Sequence, residues 1–380
     1  MMESLIDIFS KLEDPRDNRG KRHLLIHVIV LAIYGILCGY TDFSNMAYFL
    51  KKKEKELTDE FGLINGIPSH DTFSLVFRII DPNKFMELFV EWTKSLIKNN
   101  ENLNKHIAID GKAIKSATDK VNNGNIPYIV SGFLCDIGIS IGQIKVDDKS
   151  NEITAIPDLL DIINVENHTV TIDAVGTQKE IVDKIIDSHG NYCLSVKENQ
   201  RILFNDIDNY FKAYINDKDE QARIKTYETI EKDHGRVEKR KYYISDNLFF
   251  ISNKDKWKSL SAIGMVIQER EERNIKTIET HYYILNKYVD ASKFASYVRN
   301  HWAIENSLHW ILDVIFDEDH STARKDKAIE NISIIRKLAF NLTKLDPEMK
   351  NKSTKKKIID YQYDLNAFKR LIYDVIPNNN

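Results

Sequence analysis

The sequence is short of the residues that would place it in several large classes. Its three cysteines, Cys38, Cys135 and Cys193, stand far apart and form no CxxC pair. That argues against a disulfide scaffold and a structural zinc site, and free thiols in a reducing cytoplasm are expected. With only 7 Pro and 14 Gly, long linkers and low-complexity segments are not expected. No internal repeat of fixed period occurs. The N-terminus has early acidic residues and no signal-peptide pattern. The apolar run 24–38 is too short to span a membrane and is interrupted by His27. It reads as a buried helix, and no membrane partner is expected. Excess positive charge is also missing. At a net charge of −3, any contact with nucleic acid must rest on local basic surface.

What is present is ordinary for a globular chain: 42% hydrophobic and 29% charged residues in 380, enough for a sizeable core and two to three domains. Basic runs occur at Arg16–Arg22, Lys51–Lys55 and Lys350–Lys357. Each run taken alone reads as a solvated face or tail.

Residues 1–95 read as helical. Leu24–Leu37 is one helix, and Asp42 or Ser44 caps the next. Ser69 caps a short helix that Asp81-Pro82 ends, and Asn83–Lys98 follows. A short capped helix after a turn is compatible with a helix-turn-helix reader of DNA, but on the sequence alone an ordinary helical bundle is the better reading. The pattern changes at His106. HIAIDGKAIKSA is a buried strand ending in an acid and a turn, Tyr128–Asp136 and Ile139–Val146 form a hairpin, and HTVTIDAVGTQ is a second buried strand. Thr177 and Glu180 have the spacing of a capping box for the helix after it, with Gly190 at its end. Tyr192–Lys197 is the next strand, so the order is that of an α/β layer with partly parallel strands. Short alternating strands dominate about 200–285. The last 35 residues read as a lysine- and asparagine-rich tail with at most one helix.

The most unusual stretch is Tyr297–Phe316, YVRNHWAIENSLHWILDVIF. Phe294, Val298, Leu308, Leu312 and Ile315 mark a core-facing helical stripe. Glu305 falls on that stripe, with His301 and His309 one turn to either side. A carboxylate there is costly unless it is paired or binds a metal. A pair with either histidine satisfies it. Zinc held by His301, Glu305 and His309 does not, because ligands at i, i+4 and i+8 lie too far apart along one helix.

Asp110 and Asp173 each end a buried strand, where sites form in open α/β sheets. Alone, Asp110 is equally a turn former; the cap reading is weaker for Asp173, because Thr177 supplies the cap. Together with Glu305 they make an oxygen-only set suited to Mg²⁺ or Mn²⁺. Two such ions about 4 Å apart activate a water or a 3′-hydroxyl and stabilise the leaving oxygen of a phosphodiester. Lys112 and Lys115 follow the first acid, and Gln178 and Lys179 the second, at places from which each can touch a phosphate. Lys197 ends a strand at the same sheet edge. His234, Arg236, Glu238 and Arg240 alternate and so share one strand face, either along a DNA backbone or as a solvated edge. Trp302 and Trp310 can stack on an unpaired base or pack in the core, with core packing expected for at least one.

The segments IAIDGKAIKSA, TIDAVGTQKEIVDKIIDSHGNYCLSVKENQ, HGRVEKR and HWAIENSLHWILDVIFDED resemble the DDE transposases of bacterial insertion sequences. The branch is the one that includes the H-repeat-associated proteins of Rhs elements. DPRDNRGKRHLLIHVIVLAIYGILCGYTDFSNMA and IPSHDTFSLVFRIID resemble the N-terminal domain associated with that branch. The likeness runs in order over roughly residues 8–345. It implies an α/β fold: an RNase H-like catalytic core with a β-rich insertion before the catalytic-Glu helix, preceded by an all-helical N-terminal domain. The expected segments are a DNA-binding domain at 1–98, core at 104–200, insertion at 201–285, the Glu-helix part of the core at 286–345 and a basic tail at 346–380.

The implied triad is Asp110 of IDGK, Asp173 of IDAVGTQ and Glu305 of HWAIEN, holding two Mg²⁺ or Mn²⁺ ions. In the wider superfamily a Tyr, an Arg and a Lys flank the helix Glu; here Val298, His301 and Leu312 hold those positions. The contact to the DNA end is therefore open between Arg299, His301 and His309. The implied function is a cytoplasmic transposase that binds terminal inverted repeats and target DNA as a homodimer, cleaves, and transfers the strand. A nuclease of the same fold that does not join ends, and an inactive DNA-binding descendant of a mobile element, are the alternatives.

Overall fold

The computed structural model describes residues 3–98, 106–115, 126–146, 151–215, 223–233, 236–272 and 275–373. In chain order the helices α1 (Leu5–Phe9), α2 (Leu25–Leu37), α3 (Phe43–Lys52), α4 (Glu54–Phe61), α5 (His70–Ile79) and α6 (Pro82–Lys98) come first. Strands β1 (His106–Ala113), β2 (Tyr128–Leu134) and β3 (Ile139–Val146) follow, then α7 (Glu152–Ile162), β4 (Thr169–Ile172), α8 (Lys179–Asp187), β5 (Asn191–Val196) and α9 (Arg201–Tyr214). Four long strands come next: β6 (Lys225–Asp233), β7 (Arg236–Ser245), β8 (Ala262–Glu272) and β9 (Ile275–Leu285). The chain ends with α10 (Ala291–His301), a π-helical turn Ile304–His309, α11 (Trp310–Val314), α12 (Ala328–Leu345), α13 (Thr354–Tyr363) and α14 (Leu365–Tyr373).

These elements form a mixed α/β fold. The nine described strands are hydrogen-bonded in the order β3-β2-β1-β4-β5-β9-β8-β7-β6. β1, β4 and β5 are parallel, and the other recorded pairings are antiparallel. The chain divides into two compact units. One comprises 1–103, 111–151 and 305–380; the other comprises 104–110 and 152–304. β1 runs from the second into the first.

The first unit is built on α12. The helix is buried on nearly every side, from Ala328 to Thr343, and it packs against α2, α5, α6 and β3. A helix buried all round must satisfy its own polar side chains. Asn331 does so by donating to the carbonyls of Phe77 and Ile80, which close α5. Asn341 takes the backbone N–H of Ser140 at 2.8 Å and donates back to its carbonyl at 2.8 Å. That exchange occupies the strand groups of Ser140 where the β2–β3 register shifts between Gly132 and Phe133, a bulge held in place by a side chain. α2 is buried along its length, as the apolar run leads one to expect. Asp42 and Ser69 cap α3 and α5 through Asn45 and Thr72.

Residues 346–373 do not form the expected tail. α13 and α14 are packed helices, with Tyr361 and Phe368 fully buried. The Tyr34 hydroxyl donates to the Tyr361 carbonyl at 3.1 Å, and the rings of Tyr34 and Phe368 lie 4.7 Å apart. The lysines that dominate the segment's composition sit mostly on its outer face and hid this apolar stripe.

The second unit carries the parallel strands. The strands of 225–285 are not a separate module: β9 pairs with β5 and the other three extend the same layer. They run 9 to 11 residues each. Gly264 of β8 lets α10 approach, since a Cβ there would come within 2.5 Å of the Phe294 ring. At the end of α8 the left-handed residue is His189, φ 58°, and not the glycine after it.

Asn331→Ala should leave the two α5 carbonyls without their donor and destabilise the protein by about 2–3 kcal/mol. A urea midpoint equal to that of the unaltered chain would contradict this account of α12.

Candidate functional site

The second unit places two of the three acids side by side. β1 and β4 pair in parallel with Ile109 opposite Ile172. Asp110, within β1, which continues to Ala113 and does not end at the acid as expected, and Asp173, the residue after β4, are the next in this register, on neighbours about 4.8 Å apart. Residues in register point to the same face, so the two carboxylates share one. The turn after β4 fixes Asp173. Its Oδ1 accepts the N–H groups of Val175 at 3.0 Å and Gly176 at 3.2 Å. The expected capping box at Thr177 does not form. The Thr177 hydroxyl donates to the carbonyls of Asp173 and Ser195, and α8 starts at Gln178 without a side-chain cap. Asn199 also donates to the Ala174 carbonyl at 2.6 Å and pins the same turn.

α10 covers the face that bears these acids. Thr169 hydrogen-bonds to the Tyr297 hydroxyl at 3.1 Å, and Thr171 meets His301 Nδ1 at 3.0 Å. Thr171 also meets His106 Nε2 at 2.8 Å, so two histidines share one hydroxyl. Burial pushes the pKa of His301 down to about 4, against the pull of Asp173. Burial, with His301 and Lys293 adding to it, takes His106 to about 3. Both are neutral at physiological pH, so His301 offers hydrogen bonds and no positive charge. Thr171 and Asn199 both stand in the quoted TIDAVGTQ…SVKENQ segment, but nothing there sets them apart from their neighbours. The strand register places Thr171 and the turn after β5 places Asn199.

A cavity of about 740 Å³ opens beside Asp173, lined among others by Gln178, Lys197, Phe204 and His281. This places Gln178 and Lys197 at one opening with Asp173. The Gln178 side chain is partly engaged, donating to the Val175 carbonyl at 3.0 Å, while Lys197 is exposed.

The arginines of β7 are arranged otherwise than expected. β7 lies between β6 and β8 and is not an edge. Glu238 accepts from Arg236 at 2.5 Å and from Arg240, and Glu231 accepts from Arg240 at 3.1 Å and Arg299 at 2.6 Å. The Arg240 and Glu238 side chains are only 10% and 8% exposed. Arg236, Arg240 and Arg299 are thus gathered with two glutamates in an ion-pair cluster, where a row of solvated cations was expected. His234 lies outside the described residues.

Glu305 belongs to the first unit, and its position departs from the stripe. It is exposed, whereas Ile304 and Leu308 are fully buried. The cause is the π-helical turn Ile304–His309. Leu308 and Leu312 of the stripe stay buried and Ile304 joins them, while the carboxylate faces outward; such turns recur at functional sites. Trp302 and Trp310 are 50% and 51% exposed, so neither is the core residue expected. His309 is held neutral, with burial and then Lys337 and Lys112 lowering its pKa to about 3.

Lys112 is also in the first unit. Its ammonium lies against Asp313, 2.9 Å from Glu318 and 3.6 Å from Asp319, with the side chain 13% exposed. It faces carboxylates where an open phosphate contact was expected. Glu318 is 2% exposed. Burial pushes its carboxyl up, but Lys112, Lys337 and Arg336 outweigh this and take it down to about 2. Burial lowers Lys337 to about 8, although Glu318 opposes the shift. Glu318 stands in the quoted FDED run, but nothing in that run marks which acid turns inward.

Carboxylate oxygens are the donor set of hard divalent cations, and the Asp110–Asp173 pair fits such an ion as two adjacent ligands. Among the described residues, no three His, Cys, Asp or Glu side chains are grouped as a complete ligand set. No helix among them is long and apolar enough to cross a membrane.

Comparison with known proteins gives matches along most of the chain. Residues 6–93 match a domain described as DDE_Tnp_1-associated, and residues 103–342 match the Transposase DDE domain. The chain is 35% identical over 350 residues to "Putative transposase YncI" of Escherichia coli O157:H7, covering 90% of this chain and 87% of that protein. It is 33% identical to "H repeat-associated putative transposase YhhI" of Escherichia coli K12, covering 92% of each. Among solved structures it is similar to the piggyBac transposase synaptic complex with hairpin DNA, at 11% identity and a TM-score of 0.40, over 98% of this chain and 81% of that one.

The buried histidines make stability depend on pH. The unfolded chain takes up a proton at His301 near pH 6.5, the folded chain only near pH 4. Stability should therefore be fully present above about pH 6.5 and decline as pH falls toward 4, by at most about 1.4 kcal/mol per unit from this group. Urea unfolding across that window should show a shallower decline in His301→Gln; an unchanged slope would refute the assignment.

Proposed function

The chain belongs to the family of transposases with a DDE domain, and from that premise we propose that it mobilises an insertion sequence. It binds terminal inverted repeats, cleaves the DNA and transfers the freed strand. The observation that carries the reading is the register of the parallel strands β1 and β4, which brings Asp110 level with Asp173. The strand order β3-β2-β1-β4-β5 is read as an RNase H-like core, extended by β6–β9.

Asp110, Asp173 and Glu305 would hold Mg²⁺ or Mn²⁺, two ions per site. When bound, these ions supply a polarised water or 3′-hydroxyl and stabilise the leaving oxygen. Glu305 enters as the third ligand by its place in the HWAIEN segment. Within the second unit α10 keeps step with β4: Tyr297 meets Thr169 and His301 meets Thr171, four helix residues for two strand residues, as a helix rise of about 1.5 Å and a strand rise of about 3.3 Å per residue allow.

The protein's own groups have separate tasks in this reading. The turn N–H groups hold the Asp173 carboxylate in one orientation. His301, neutral, anchors the helix to the strand. Lys197 and Gln178 offer a cation and an amide to the DNA backbone beside Asp173. The half-exposed Trp302 and Trp310 offer flat faces to an unpaired base. Joining two element ends implies a homodimer on DNA, and the site of action is the bacterial cytoplasm. The N-terminal helices are the readers of the terminal repeat.

Asp110→Asn, Asp173→Asn and Glu305→Gln should each reduce cleavage and strand transfer by more than the roughly 10–100-fold typical of an outer partner. Binding to the terminal repeat should persist. A pre-cut duplex with a free 3′ end separates transposase from plain nuclease, since only the former joins it to target DNA. Excision of a marked element by Asp110→Asn at the unaltered rate would sink the assignment.

A further inference from the structure

Lys112 is in the wrong surroundings for a phosphate contact. A phosphodiester approaching it would meet three carboxylates, Asp313, Glu318 and Asp319, around one ammonium. Two of them are buried or nearly so, with side chains 2% and 19% exposed. Glu318 is in turn fixed to α12 by the Ser333 hydroxyl at 3.0 Å. Ser333 also accepts from Lys337 at 3.2 Å. These contacts lie within the first unit and link β1, α11, the turn at 318–320 and α12.

The positions along the chain give this cluster a task. Lys112 stands two residues after Asp110 on β1. Asp313 stands eight residues after Glu305, on α11, which continues directly from the π-helical turn. The exposed Glu305 is thus carried on a segment whose far end is tied by charge to the end of β1.

We propose that Lys112 is a positioning residue: with Asp313 and Glu318 it clamps the Glu305-bearing segment onto the end of β1, so that the carboxylate is set for a divalent cation before DNA arrives. A ligand held in place before binding loses less freedom when the ion arrives. The inference rests on the proposed function, because it takes Glu305 as a metal ligand. It assigns Lys112 to the protein's own frame, with no share in holding DNA.

The test uses the full chain with Lys112→Met, Asp313→Asn and the double variant. Manganese alone is the first probe, titrated while thermal stabilisation is followed. The second is binding to a terminal-repeat duplex at several salt concentrations. Each single variant should raise the Mn²⁺ midpoint by about tenfold, and the double variant should add little, because both changes break one clamp. The salt dependence of DNA binding should keep its slope, whereas loss of a phosphate contact lowers it by about one. Should Lys112→Met fail to fold, Asp313→Asn carries the test, its side chain being 30% exposed. An unchanged Mn²⁺ midpoint in Asp313→Asn, or a slope lowered by one in Lys112→Met, overturns the inference and leaves the transposase reading standing. If the unaltered chain neither responds to Mn²⁺ nor cleaves terminal-repeat DNA, the proposed function falls and the inference with it.

Discussion

The parallel pairing of β1 with β4 is the constraint on which the site depends. Ile107, Ile109, Val170 and Ile172 alternate with the polar positions and are buried to 2% exposure or less. A slip of one residue would exchange the two faces, carrying these side chains under α10 and driving Asp110 into the apolar layer. The hydrophobic pattern and the placement of the carboxylates are therefore one specification. Thr169 and Thr171 lie on the same face as Asp173 and give α10 its footing through Tyr297 and His301. Helix and strand are then locked in step by hydroxyl contacts that need no charge.

Much of this was legible beforehand, for a physical reason. The strands β1, β4 and β5 are short apolar runs bounded by polar turns, and the caps Asp42 and Ser69 precede periodic helices. Such signals are local, and local chemistry decides them. What escaped notice depended on partners distant in sequence. Thr177 has the spacing of a cap, yet the carbonyls of Asp173 and Ser195 take its hydroxyl. α13 and α14 are rich in lysine, and only their packing in the first unit shows which residues turn inward. Arg240 alternates with Glu238 as a solvated strand would, but α10 packs on β7 and its Arg299 joins the same ion-pair cluster.

Glu305 illustrates a sharper limit. Periodicity of 3.6 places it on the core-facing stripe, and on that basis it is an acid in need of a buried partner. The π-helical turn breaks the periodicity at that residue. No residue in IENSLH announces a π turn by composition, because the cause is where Ile304 and Leu308 must pack.

The charge pattern bears on how DNA can be held. With a net charge of −3, the chain has few cations to spare, and several prominent ones are committed internally. Arg240 and Arg299 neutralise Glu231, and Lys112 neutralises Glu318. His301 and His309 are kept neutral by burial. Contact with a polyanion near the paired aspartates therefore falls to exposed side chains such as Lys197, which lines the cavity with Asp173. A site so arranged keeps its framework charges out of reach of phosphate. In the proposed function, affinity for DNA then comes mainly from surface elsewhere on the chain.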